Sequence, residues 1–170
     1  GNENPGGKLP VTFPIHVSQT PLFYNHKPTG RGDDYYNLTG KPMFPFGFGL
    51  SYTEFEYSDL EFSKLKFETN ETVTVGLTVT NTGPVRGDEV VQLYIKDELA
   101  SVSRPVKELR GFRRISLNPG DSEKITFTLG PDELSMLNKK MDKVVEPGNF
   151  RIMIGSSSND IRLRGIIEAI

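Results

Sequence analysis

From Glu56 onward, apolar and polar residues alternate with a period of two, the spacing of a strand that is buried on one face. Val73, Val75, Leu77 and Val79 alternate with Thr72, Thr74, Thr78 and Thr80. Val91, Leu93 and Ile95 form the next apolar set, with Gln92 and Tyr94 opposite. Ile125, Phe127 and Leu129 repeat the pattern, as do Phe150, Ile152 and Ile154, and Ile161 and Leu163 begin a last strand that ends near Ile167. Leu60, Phe62, Leu65 and Phe67 predict a first strand with a shift of phase, and a further segment runs from Val106 to Leu117. Asn81-Thr82-Gly83-Pro84, Asn118-Pro119-Gly120-Asp121 and Glu146-Pro147-Gly148-Asn149 are turn sequences between these runs. Pro131-Asp132-Glu133-Leu134 predicts a single helical turn. About seven short strands with turns at regular intervals predict an all-β domain over residues 56–170, an antiparallel β-sandwich.

Residues 1–55 read differently. Fourteen glycines and prolines, from Pro5 to Gly49, break any period, so long helices and central strands are not expected there. Phe13, Ile15, Val17, Leu22, Phe23, Tyr24, Tyr35, Tyr36, Phe44, Phe46 and Phe48 nevertheless need a surface to bury against. The segment is predicted to be an irregular arm that packs on the sandwich and, in a longer protein, on a preceding domain. In Lys41–Phe55, glycines and prolines separate four phenylalanines and a tyrosine, and Gly47-x-Gly49 marks a backbone turning tightly between bulky rings.

Composition narrows the function classes. The 170 residues carry a net charge of −2 with both signs interspersed, which gives no electrostatic case for nucleic acid or an anionic membrane. No apolar run approaches the ~20 residues of a membrane helix. Cysteine is absent, which removes disulfides, thiolate metal sites and cysteine catalysis, and with tryptophan also absent an antibody-type domain is excluded. Gly1 is compatible with a tag-removal scar and is set aside.

Candidate chemistry is sparse. Glycoside hydrolysis needs two placed carboxyl groups. The candidate pairs are Asp33 and Asp34, Asp88 and Glu89, Asp97 and Glu98, and Asp132 and Glu133. Neighbours on a strand point to opposite faces, so adjacency does not build a dyad. His16 and His26 lack a third metal ligand, and Ser51 lacks the nucleophile-elbow glycines. Arg31-Gly32-Asp33 and Arg86-Gly87-Asp88 have the form of an adhesion tripeptide, and Asn37-Leu38-Thr39 and Asn70-Glu71-Thr72 that of glycosylation sequons. Tyr94, Phe112 and the arm tyrosines could serve a carbohydrate-binding face or packing equally well. No catalytic, cofactor-binding or metal-ligating residue is assigned, and no cofactor is expected.

Several longer stretches carry a family resemblance. KLPVTFP (Lys8–Pro14), PLFYNHKPTGR (Pro21–Arg31), FPFGFGLSYTEFEYS (Phe44–Ser58), VTNTGPVRGDEVVQLYI (Val79–Ile95), SVSRPVKELRGFRRI (Ser101–Ile115) and VVEPGNFRIMIGSSSNDIRL (Val144–Leu163) resemble the C-terminal part of glycoside hydrolase family 3 enzymes of the bacterial β-glucosidase type. The resemblance implies a fibronectin type III-like sandwich at 56–170, with residues 1–55 as the tail of the family's α/β sandwich domain. It places the nucleophilic aspartate and the acid/base glutamate upstream, and no position here matches either motif. It implies a parent enzyme that hydrolyses β-glucosides or β-xylosides with retention, and a periplasmic or secreted location. The expected partners are the parent's upstream catalytic domains, carbohydrate near the domain edge and, through the aromatic arm, a second copy. The competing functions are a carbohydrate-binding module and an adhesion module acting through Arg31-Gly32-Asp33.

Overall fold

The computed structural model describes residues 3–29, 34 and 39–170. Among them, seven long strands form where the period-two runs lie: β1 (Phe55–Phe62), β3 (Val73–Asn81), β4 (Gly87–Asp97), β5 (Glu108–Leu117), β6 (Ser122–Leu129), β9 (Gly148–Gly155) and β10 (Ile161–Ala169). Three two-residue strands, β2 (Lys66–Phe67), β7 (Met136–Leu137) and β8 (Lys143–Val144), and a one-turn helix α1 (Pro131–Leu134) occupy the connections. One layer has the order β1-β3-β6 and the other the order β2-β10-β9-β4-β5, while β7 and β8 pair only with each other. The long strands pair antiparallel throughout. This is the antiparallel β-sandwich that the alternation predicted, in the fibronectin type III-like form that the resemblance implied.

The inward set from each sheet makes one core. Val75 and Leu77 on β3, Leu93 on β4, Ile125 on β6, Ile152 and Ile154 on β9 and Ile167 on β10 are buried together. Each such side chain contributes roughly 1.5–3 kcal/mol by leaving water. Opposite Leu93, Gly111 leaves room for the Phe127 ring, which a Cβ would approach to 2.9 Å.

The phase shift in the first strand is a bulge between Ser58 and Glu61, with Asp59 at φ 54°. Beyond it the chain leaves the smaller sheet. Lys66 and Phe67 pair in parallel with Glu168 and Ala169 of β10 in the other one. The single strand expected over Leu60–Phe67 is therefore two, because burying both Phe62 and Phe67 requires the chain to change sheets.

Asn81 closes the turn after β3 by satisfying all of its amide from inside. Its Oδ1 accepts from Thr53 Oγ1 (2.6 Å) and the Gly83 amide (3.1 Å), and its Nδ2 donates to the carbonyls of Val85 (2.9 Å) and Leu117 (3.0 Å). One buried side chain thus ties the end of the arm to two strand ends.

The arm lies on the outward side of the five-stranded sheet. Gln92 and Tyr94 alternate with the inward residues of β4 and so point away from the core, yet they are only 3% and 0% exposed. The arm covers them. Gln92 Nε2 donates to the carbonyls of Gly47 (3.2 Å) and Ser156 (2.6 Å), and the Tyr94 hydroxyl donates to Gln92 Oε1 (2.5 Å). Tyr24 stacks on Phe46 at 4.4 Å and meets Tyr94 edge-on at 5.8 Å. Backbone bonds from Leu9 to Phe48, from Gly47 to Leu9 and from Ser158 to Phe46 complete the seam.

Two substitutions test these contacts. Leu93→Ala is expected to cost about 2–5 kcal/mol, since it leaves a cavity in the shared core; urea denaturation reads this as a lower midpoint at unchanged slope. Gly47 has φ +80°, and a Cβ there would lie 2.1 Å from Gln92 Oε1. Gly47→Ala is therefore expected to cost about 1–3 kcal/mol through strain and displacement, with a loss of near-ultraviolet dichroism from Tyr24 and Tyr94 while the sheet signal persists.

Candidate functional site

The carboxylate pairs are divided by the strands that carry them. Asp88 and Glu89 open β4 and point to opposite faces. Asp88 accepts from Arg114 Nε (3.0 Å) and Nη2 (2.5 Å) and from the Ser116 hydroxyl, and these bonds, Ser116 first, hold its carboxyl below the usual range. Glu89 is buried and forms an ion pair with Lys8 of the arm at 2.8 Å. Asp132 is paired with Lys143 (2.5 Å), while Glu133 accepts from the Gly130 amide (2.9 Å) at the start of α1. Glu98 meets Lys96 (3.0 Å) and Arg151 (2.6 Å). Beside it, burial pushes the Asp97 carboxyl up, against the opposing pull of Arg104. Asp34 accepts from the Gly40 amide (2.9 Å) and the Thr39 hydroxyl (3.1 Å); Asp33 lies outside the described residues. Each of the described pairs is engaged by partners of its own.

The polar cluster nearest the seam joins Lys8, Glu89, Tyr57, Asp160 and Arg162. Arg162 donates to Asp160 Oδ2 from Nη2 (2.9 Å) and Nε (3.2 Å) and to the Phe55 carbonyl (2.5 Å), with its guanidinium 4.7 Å over the Tyr57 ring. Burial works to raise the Asp160 carboxyl, but the bonds from Arg162 and Ser156 outweigh it and keep it low. Burial, reinforced by the charge of Glu89, pushes the Tyr57 hydroxyl far up, so it stays protonated. Opposite charges cancel pairwise here, an arrangement suited to fastening two segments.

The histidines bond locally. His16 Nδ1 meets the Ser18 hydroxyl (2.9 Å) and accepts from the Ser18 amide (3.2 Å), and His26 Nδ1 lies 3.1 Å from the Lys27 carbonyl. Ser51 bonds Asn4 Oδ1 at 3.2 Å. Among the described residues no group of three or more His, Cys, Asp or Glu side chains could hold a metal ion. Arg31-Gly32-Asp33 and the first two residues of Asn37-Leu38-Thr39 lie outside the described residues. In the second tripeptide, Asp88 is engaged as above. Asn70 sits exposed on the turn between β2 and β3. Of the two sandwich aromatics considered as a sugar platform, Tyr94 is wholly buried and Phe112 is 68% exposed.

A cavity of about 450 Å³ opens where the arm meets the sheet, lined by Phe23, His26, Lys41, Lys107, Ser158 and Asn159 among others. Three polar residues tie this region together, and the sequence did not single them out for that role. Gln19 is buried and makes four bonds: Oε1 accepts from the Ile15 (2.6 Å) and His16 (3.1 Å) amides, and Nε2 donates to the Thr39 (2.7 Å) and Lys41 (3.1 Å) carbonyls. Gln92 joins arm and sheet, and Lys107 Nζ donates to the Ser158 carbonyl at 2.6 Å. For Gln92 the alternation signalled only an outward-facing polar residue.

Comparison with known proteins accounts for both parts. Residues 1–52 match the glycosyl hydrolase family 3 C-terminal domain, and residues 89–158 match the fibronectin type III-like domain. A β-xylosidase from Formosa agariphila is 50% identical over 161 residues, spanning 93% of this chain and 22% of the relative. A periplasmic β-glucosidase from Salmonella typhimurium is 40% identical over 172 residues, spanning 95% of this chain and 22% of the relative. The solved structure of a β-glucosidase from Erythrobacter marinus superposes with a TM-score of 0.95 at 40% identity, over 100% of this chain and 22% of that one. The chain thus spans between a fifth and a quarter of the length of these relatives. Two domain matches in order, and a shared backbone over the full chain, place it in glycoside hydrolase family 3, as the C-terminal part of such an enzyme with its fibronectin type III-like domain.

Proposed function

We propose that this chain braces a larger β-glucosidase- or β-xylosidase-like hydrolase and does not itself break glycosidic bonds. The observation that carries this reading is its coverage of its relatives: nearly all of the chain aligns, and it accounts for 22% of their length. A retaining hydrolase needs two carboxyl groups about 5–5.5 Å apart, one to attack and one to protonate the leaving oxygen. The acids described here are committed to lysines, arginines, hydroxyls and backbone amides, which suits fastening rather than turnover. On this reading residues 1–55 are the tail of the neighbouring domain and 56–170 are the sandwich that grips it. The partner is the remainder of the enzyme, lying against the arm's far side, where Val11, Phe13, Ile15, Val17 and Met43 are exposed.

A contact with carbohydrate at the domain edge is a second reading. The observation favouring it is the seam cavity with Phe23 at its rim, a flat apolar ring that a pyranose can stack on.

Two experiments test the main reading. Incubated with aryl β-glucosides and aryl β-xylosides, the chain alone is expected to release no aglycone above buffer; sustained turnover would refute the bracing role. With the apolar side of the arm uncovered, the chain is expected to self-associate reversibly. Sedimentation velocity should show this association reduced by Phe13→Ser with Met43→Ser, and unchanged association would remove that surface from consideration.

A further inference from the structure

Among the described residues, the seam cavity holds a cation that pairs with no carboxylate. Lys107, in the loop before β5, is half-buried there and donates to the Ser158 carbonyl (2.6 Å), but no described carboxylate pairs with it. Burial first, and Arg164 second, draw the Lys107 ammonium below its ordinary range. The one described carboxylate lining the cavity, Asp34, accepts from the Gly40 amide and the Thr39 hydroxyl. Partly desolvating a positive charge is costly unless an anion joins it.

The rest of the cavity suits a sugar ring. Its volume of about 450 Å³ falls in the range of small-ligand pockets. The Phe23 ring is 61% exposed and offers an apolar face. Asn159 is exposed and offers an amide to ring hydroxyls. The Ser158 hydroxyl is buried without a partner among the described residues, and rotation about one bond changes where it donates.

We propose that this cavity binds an acidic pyranose, a uronic acid, with its carboxylate against Lys107 and its ring against Phe23. The proposal rests on the carbohydrate-contact reading and sharpens it: charge, not the ring alone, selects the ligand.

The test is a titration of the full chain, followed by amide nuclear magnetic resonance, with glucuronate, glucose and acetate in parallel. Glucuronate is expected to shift the Val106, Lys107 and Ser158 amides saturably, with glucose and acetate each at least about tenfold weaker, a difference of about 1.4 kcal/mol. Lys107→Met should weaken glucuronate by about tenfold while leaving glucose unchanged. Lys107→Gln, which keeps a donor toward the Ser158 carbonyl but no charge, should weaken glucuronate likewise and serves if Lys107→Met fails to fold. Equal binding of glucose and glucuronate would overturn the charge selection and leave the carbohydrate contact standing. Equal binding of acetate and glucuronate would overturn the sugar. No saturable binding by any of the three would remove both the acidic-sugar site and the carbohydrate contact.

Discussion

The structure depends on covering a polar patch that the sheet cannot leave open to water in half measure. Gln92 and Tyr94 sit on the outward side of β4, where alternation sends every second residue. Their polar atoms bond each other, the Gly47 carbonyl and the Ser156 carbonyl, and every one of those partners is buried or half-buried. A buried amide that loses one such partner carries the full desolvation cost, roughly 1–3 kcal/mol. The arm is therefore an integral layer on the five-stranded sheet. Gly47 makes the contact close enough, because a residue with a side chain would occupy the space of the Gln92 amide.

The distribution of charge follows from that layer. The buried pair Lys8–Glu89 crosses from arm to sandwich, and Arg162 bridges Asp160, Phe55 and the Tyr57 ring at the same end. Such pairs add little net stability, since desolvation offsets most of their attraction. What they do is favour this register, because shifting the arm would part Lys8 from the buried Glu89 and leave a charge unpaired. A brace must hold a neighbour in one position, and directional polar contacts do this better than a greasy interface that can slide. Lys107 stands apart from these two pairs: among the described residues it is a half-buried ammonium that bonds a carbonyl and no carboxylate.

Much of the sandwich was legible in the chain. Val73, Val75, Leu77 and Val79 face the core because a strand offers them one side, and turn sequences such as Asn118–Asp121 fix where each strand stops. The family likeness was legible because contiguous motifs carry it, and a relative matches at 50% identity over 93% of the chain. The change of sheet after Phe62 was not, since one phase shift in an apolar run reads alike whether the chain bulges or crosses over. Nor was the seam cavity: nothing local marks Gln19, Gln92 or Lys107 as different from any exposed polar residue.

The sequence by itself determined the strands, the turns, the irregular arm and the kinship, because each rests on local periodicity, backbone stereochemistry or a contiguous motif. Only the tertiary structure decided which polar side chains are buried, which acids meet which cations, and where the arm leaves a cavity against the sheet. Those features join residues tens of positions apart, such as Gly47 with Gln92 and Lys8 with Glu89. Burial is a property of the assembled layers, and no single segment carries it.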